Sequence, residues 1–154
     1  YSPYSKIFQA SSAAMFGNSI DKDGYQREIT PFKPISPYAS AKLFVHNISS
    51  NYRENYKMFI SNGILYNHES IKSKTLFGII NTVAQRAVEI KKGLIPEFYI
   101  PNLKIHIDIG SAEDYTEAMW LILQQNISDD YIIASGKTHS IEEICDCVFS
   151  KLVS

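Results

Sequence analysis

Short β-leaning runs alternate with helical stretches along this chain, and one stretch is uninterrupted: from Tyr38 to about Tyr56 there is no Gly or Pro. Leu43, Val45, Ile48 and Tyr52 recur there at roughly helical spacing, so the segment is predicted to be a helix. Ser36-Pro37 is a reasonable entry, because Pro is at home in a first turn. Ahead of it, Lys6 to Ser12 (KIFQASS) reads as a strand, and Asn18 to Pro37, with Gly24 and three prolines, as a surface loop. Behind it, Met58 to Tyr66 (MFISNGILY) is strand-like but broken at Asn62-Gly63. Leu76 to Lys92 is helical and stops at Gly93, as a C-cap should. EFYI and KIHIDIG are β-leaning. Ser111 to Gln125 is a helix capped by Ser111, with Asp114 and Glu117 suiting the dipole of its first turns. DYIIAS is a strand, and THSIEEICDCVFSKLV a final helix with Thr138 or Ser140 as its N-cap. This alternation predicts α/β architecture with a largely parallel sheet.

The bulk numbers exclude more than they assign. A chain of 154 residues, 45% apolar and 20% charged, suits a globular domain. A formal charge of −1 gives no general pull toward nucleic acid or an anionic membrane, so neither is an expected partner. No apolar run reaches membrane-spanning length, and no signal peptide is visible. Cys145 and Cys147 lie two apart in a helical stretch and project to different sides of it. They read as reduced, cytoplasmic thiols, and no metal site is expected. The chain opens at Tyr1, not Met, almost directly into a strand, which predicts a processed or truncated chain or part of a longer protein. No Gly-x-Gly-x-x-Gly or Gly-x-x-Gly-x-x-Gly turn is present, so the pyrophosphate-binding half of a dinucleotide fold is not in these residues.

Tyr38 and Lys42 stand four apart, and on a helix such residues share a face. A free Tyr has a pKa of about 10 and is a poor base at neutral pH. A neighbouring ammonium favours the phenolate. Such a Tyr can take the proton of a sugar hydroxyl while hydride leaves the same carbon for a nicotinamide, and the Lys can hold the nicotinamide ribose. Alone the spacing is common. A hydroxyl at a strand end some two dozen residues upstream, Ser12, adds a donor for the same substrate oxygen.

Ser12, Tyr38 and Lys42 resemble the triad of the short-chain dehydrogenase/reductases. FQASSAAMFG, TPFKPISPYASAKLFVHNI, NYRENY, NGILYNHES, DYTEAMWLILQQ and DYIIASGKTHSIEE resemble consecutive blocks of the GDP-mannose 4,6-dehydratases, nearly end to end. The resemblance is to that family's later portion. It implies the second part of a Rossmann-type parallel sheet plus a small C-terminal substrate-binding subdomain, divided at roughly 1–68 and 69–154. It implies NADP as cofactor, held by Lys42 and His68, and a nucleotide-sugar such as GDP-mannose, touched by Asn67 and Lys72. A homo-oligomer through the Tyr38 helix is also implied.

The departures from the family pattern are as informative. Its strand end reads Ala-Ser-Thr-Ser-Glu with Thr and Glu catalytic; here Ser12 keeps a hydroxyl and Ala14 replaces the Glu. The implied reaction oxidises C4 of the mannose, uses Glu to remove the C5 proton as water leaves C6, and returns hydride to C6. General-base help is typically worth about 10²–10⁴-fold. With Ala14 the oxidation half looks intact and the elimination half does not. Arginines are missing as well: Lys72 and Ser73 stand where two are expected, Ile107 stands for another, and FGIIN lacks one after Phe77. Glu69 belongs to the family pattern and is not an obvious substitute for the missing base. His46 reads as a solvent or subunit-contact residue, His106 as a residue without metal partners, and Trp120, with Met119, Leu121 and Leu123, as helix core. Two other readings stand beside the dehydratase: an epimerase or ketoreductase of the same superfamily, and a non-catalytic fragment that acts by binding or dimerising.

Overall fold

The computed structural model of the protein describes residues 4–73 and 78–153. They form two compact units, residues 1–66 with 114–133 and residues 67–113 with 134–154. The resemblance-based division puts residues 69–154 mainly in the second part, whereas residues 114–133 lie in the first unit. The chain returns to the first unit because its fifth strand completes the first sheet.

In the first unit, β1 (Ile7–Ser12), β2 (Ile60–Leu65) and β5 (Asp130–Ile133) make a parallel sheet in the order β1-β2-β5. Ile7 pairs with Ile60 and Ser12 with Leu65, and Asn62 to Leu65 pair with Asp130 to Ile133. Helix α1 (Pro37–Tyr56) connects β1 to β2, and α3 (Ala112–Gln124) leads into β5. One apolar cluster joins Met15, Phe16 and Ile64 to Phe32, Leu43 and Ile132. Another joins Tyr115, Ile122 and Ile133 to Phe8, Leu65 and Met119. Layers on both faces explain why β2 is buried almost throughout, as central parallel strands are.

Asn62-Gly63 does not break β2. Both residues lie inside the strand and are buried, since the Asn62 side chain finds polar partners and Gly63 makes room for an aromatic ring. A Cβ built at Gly63 stands 2.2 Å from Cζ of Phe8. Turn residues in a sequence can mark a close approach as well as a turn.

Helix α1 begins where Ser36 and Pro37 predict: the Ser36 hydroxyl accepts from the Ala39 amide at 3.1 Å, and Pro37 occupies the first turn. Its sheet-facing side is small and polar, with Ala39, His46 and Ser49 buried, while Phe44, Val45, Ile48, Tyr52 and Tyr56 are exposed. His46 is therefore not a solvent residue; it is bonded inside the unit. Trp120 is not core either, being 60% exposed, and α3 buries Tyr115 and Ile122 instead.

In the second unit, β3 (Asn67–Glu69) pairs parallel with β4 (His106–Ser111), and β4 pairs antiparallel with β6 (Thr138–Ser140). Helices α2 (Ile79–Lys91) and α4 (Ile141–Val153) pack together. The start of the sequence-predicted helix at Leu76 falls outside the described residues. EFYI forms no strand: Pro96 and Pro101 bracket it and supply no ladder N–H. Thr138 to Ser140 is strand before it is helix entry, and Ser140 is the cap. Its hydroxyl accepts from the Glu143 amide while Glu143 accepts from the Ser140 amide, both at 3.1 Å, a reciprocal capping box.

Gly63→Ala is expected to lower stability by about 1–3 kcal/mol, because the Phe8 ring must be displaced from a packed position. Urea unfolding measures it, and an unchanged midpoint would mean that the ring is not held over β2.

Candidate active site

The first group of candidate residues lies at and beside the carboxyl end of β1. The Ser12 hydroxyl accepts from the Ala14 amide at 3.2 Å and so caps a short 3-10 turn, Ala13–Phe16. That bond uses an acceptor pair and leaves the O–H as a donor. The turn is anchored by Met15 and Phe16, both fully buried, and it ends at Gly17, whose φ of +57° and close approach to the Lys33 carbonyl suit a residue without Cβ. Ala14 faces outward. Its methyl group is therefore no requirement of packing, and a longer side chain fits there.

Tyr38 lies in the first turn of α1 and is 58% exposed. Lys42 follows one turn later, half-buried, with Nζ 2.9 Å from the Ala10 carbonyl and 5.8 Å from the centre of the Tyr38 ring. One ammonium hydrogen is committed to β1 and two remain. Tyr38 and Lys42 thus share a face, and Lys42 reaches β1 two residues before Ser12.

Behind this face lies a polar chain, buried at Ser11, His46 and Asn62 and half-buried at Arg53 and Asp130. The Ser11 hydroxyl and Nδ1 of His46 are 3.0 Å apart, and Nε2 of His46 lies 3.3 Å from Oδ2 of Asp130. The other Asp130 oxygen accepts from Arg53 Nη1 and from Asn62 Nδ2, each at 2.8 Å. Ser-His-Asp in this order resembles a hydrolase triad, but Ser11 is 2% exposed and His46 4%, so no substrate reaches the hydroxyl. Burial pushes the Asp130 carboxyl upward, yet the hydrogen bonds from His46, Arg53 and Asn62 outweigh it and hold the group well below the usual carboxylate range.

The remaining candidates lie in the second unit. Asn67 donates through Nδ2 to the Asp108 carbonyl at 3.1 Å, and His68 follows it in β3, half-buried. The Asp108 carboxylate accepts from the Ser135 and Gly136 amides at 2.9 and 2.8 Å, which fixes the turn before β6. Glu69 accepts from the Ile80 and Asn81 amides at 3.0 and 2.9 Å, so it caps α2 and is engaged structurally rather than as a base. Lys72 pairs with Glu113 at 2.8 Å on the surface. A hollow of about 390 Å³ is lined by Glu69, Ser70, Ile80, Asn81, Ile109 and Glu113. Among the described residues there is no cluster of three or more His, Cys, Asp or Glu able to hold a metal ion.

The residues missed by sequence reasoning are Ser11, His46, Arg53, Asn62 and Asp130. The available signal was Lys42, His46, Ser49, Ser50 and Arg53, a polar stripe at helical spacing on one face of α1.

Parallel strands connected through helices, a hydroxyl at a strand end and Tyr-x-x-x-Lys in the next helix define a Rossmann-type α/β protein. Solved structures share the fold. An NADPH-complexed protein named RMD from Pseudomonas aeruginosa matches with a TM-score of 0.84 at 18% identity, over 92% of this chain and 49% of that one. A dTDP-glucose 4,6-dehydratase from Bacillus anthracis in complex with NAD matches with a TM-score of 0.84 at 22% identity, over 99% and 47%. The family model for GDP-mannose 4,6 dehydratase matches residues 1–154, and the chain belongs to that family. GDP-mannose 4,6 dehydratase 2 of Arabidopsis thaliana is 43% identical over 147 residues, 96% of this chain and 38% of that protein. GDP-mannose 4,6 dehydratase of Homo sapiens is 40% identical over 144 residues, 94% and 38%. The chain therefore spans about 38% of the length of these curated relatives.

Asp130 gives the first unit a pH dependence. Its carboxyl is held low in the folded state, so its contribution is present above the usual carboxylate range and is lost as pH falls below it. The parent is expected to lose stability on acidification between about pH 5 and pH 2, and Asp130→Asn to be less stable near neutrality with a shallower acid slope. Equal slopes in urea unfolding would show that Asp130 is not the group that titrates.

Proposed function

We propose that this chain is the catalytic part of an NADP-dependent nucleotide-sugar enzyme of the GDP-mannose 4,6-dehydratase type, with its oxidation step equipped and its elimination step deprived of its base. The observation that carries the reading is the exposed Tyr38 with Lys42 5.8 Å from its ring centre, that lysine being bonded to the Ala10 carbonyl two residues before Ser12.

Tyr38 receives the C4 hydroxyl proton of the sugar, and Ser12 donates a hydrogen bond to the same oxygen. Lys42 favours the phenolate and, with two ammonium hydrogens uncommitted to β1, fits the diol of a nicotinamide ribose. His68 is assigned to the same nucleotide. When bound, NADP⁺ supplies the acceptor for the hydride that leaves C4. The resulting ketone acidifies the C5 proton, but position 14 offers a methyl group where a carboxylate would take it. Asn67 and Lys72 are assigned to the nucleotide-sugar. Lys72 must exchange Glu113 for a phosphate oxygen and can offer only a point charge, which implies a looser hold than an arginine fork gives.

An epimerase or ketoreductase is the second reading, and the exposed Ala14 is what favours it. The exposed apolar side of α1, with Phe44, Ile48, Tyr52 and Tyr56, supports a homo-oligomer in which a second copy covers it. Both cysteines are free, and no helix among the described residues is long and apolar enough to cross a membrane. A reducing, cytoplasmic setting and a place in deoxyhexose supply belong to this proposal.

Tyr38→Phe, made in the longest form of the protein that its gene encodes, is expected to slow NADPH formation from GDP-mannose by about 10²–10⁴-fold. Unchanged turnover, followed by absorbance, would remove Tyr38 from the chemistry. Ala14→Glu is expected to raise the loss of water from the sugar. No gain, read by mass spectrometry, would mean that the missing arginines limit the reaction.

A further inference from the structure

Two side chains of α1, four residues apart, reach two adjacent residues of β1. Lys42 Nζ bonds the Ala10 carbonyl at 2.9 Å, and His46 Nδ1 meets the Ser11 hydroxyl at 3.0 Å. Ser12, which supplies the hydroxyl of the proposed site, is the next residue along. His46 has no freedom of its own: it is 4% exposed, its Nε2 lies 3.3 Å from Asp130, and its ring lies edge-on to Phe32 with centroids 5.1 Å apart. Arg53, two turns further along α1, fixes the helix at its other end through Asp130 and the Ile60 carbonyl. The Lys42 contact alone is a pivot, since an ammonium on a four-carbon stem can swing. The second, rigid contact one turn away turns that pivot into a clamp.

We infer that His46 is a positioning residue: through Ser11 it fixes the first turn of α1 against the end of β1 and so sets Tyr38 opposite Ser12. The inference rests on the catalytic reading of Tyr38 above. Its consequence is that the bond to Ser11, and not the bond to Asp130, governs the rate, because small misplacements of reacting groups cost rate while leaving the fold intact.

Asn and Gln separate the two bonds. An Asn amide lies as far from Cβ as Nδ1 does and can keep the partner on Ser11; a Gln amide lies as far as Nε2 and can keep Asp130. In the longest encoded form, with GDP-mannose and NADP⁺, His46→Gln is expected to lower kcat for NADPH formation about ten- to a hundredfold with KM little changed. His46→Asn is expected to recover most of that loss. Ser11→Ala, which removes the same bond from the strand side with little change in volume, is expected to behave as His46→Gln does. Hydrogen exchange adds a readout independent of turnover: the amides of Ala39 to Lys42 and of Ala14 should exchange faster in His46→Gln and Ser11→Ala, and near the parent rate in His46→Asn. Activity that falls equally in both His46 variants, or that survives in His46→Gln, overturns the inference. If the parent itself forms no NADPH, the catalytic reading fails separately and exchange decides the clamp. Faster exchange confined to those amides then supports it, and exchange raised uniformly over β1, β2 and β5 overturns it.

Discussion

A single half-buried carboxylate ties the helix and strands of the first unit together. Asp130 opens β5, and its two oxygens gather His46 and Arg53 from α1 and Asn62 from β2. A lone carboxylate in such a place would be costly, and it persists here because it is paired and hydrogen-bonded on both sides. Through it the helix that carries Tyr38 and Lys42 is tied to the central and edge strands, and a separate contact, His46 with Ser11, ties the helix to β1. The apolar side of α1 is left outside as a consequence. The inner face of α1 combines one apolar contact, Leu43 in the first cluster, with several polar ties, so side-chain geometry as well as apolar area holds it.

The strand-end turn illustrates a division of labour within five residues, Ser12 to Phe16. Met15 and Phe16 are buried and hold the turn to the core, Ser12 caps it, and Ala14 is exposed. The side chain at position 14 is therefore free of the demands of packing, and the turn keeps its shape whatever chemistry that position serves. The same holds at Lys72, whose ion pair with Glu113 lies on the surface. Scaffold and surface side chains are separable at these positions, so family membership sets no demand on them through packing.

Much of this was legible in sequence. The Ser36-Pro37 entry, the caps at Ser111 and Ser140, the stop near Gly93 and the strands at Ile7–Ser12 and Asp130–Ile133 all follow from local rules. What local rules could not supply were long-range facts. Asn62-Gly63 looked like a break because its partners, Asp130 and Phe8, are far away in the chain. His46 looked like a surface residue because its neighbours in sequence do not include Ser11 or Asp130. Trp120 looked like core because size and apolarity favour burial, whereas α3 turns Tyr115 and Ile122 inward. Ser12, Tyr38 and Lys42 were singled out by spacing and resemblance together, and the polar chain of Ser11, His46 and Asp130 by neither.

The central claim is that the oxidation half of the reaction is present and the elimination half is not. The most direct measurement incubates the longest encoded form with GDP-mannose and NADP⁺ and follows both the nucleotide-sugar mass and the NADPH absorbance. The account predicts that NADPH accumulates while the sugar loses two hydrogens and keeps its water. Rapid loss of one water, with no net NADPH, would contradict it and would mean that another group in the protein serves as the base.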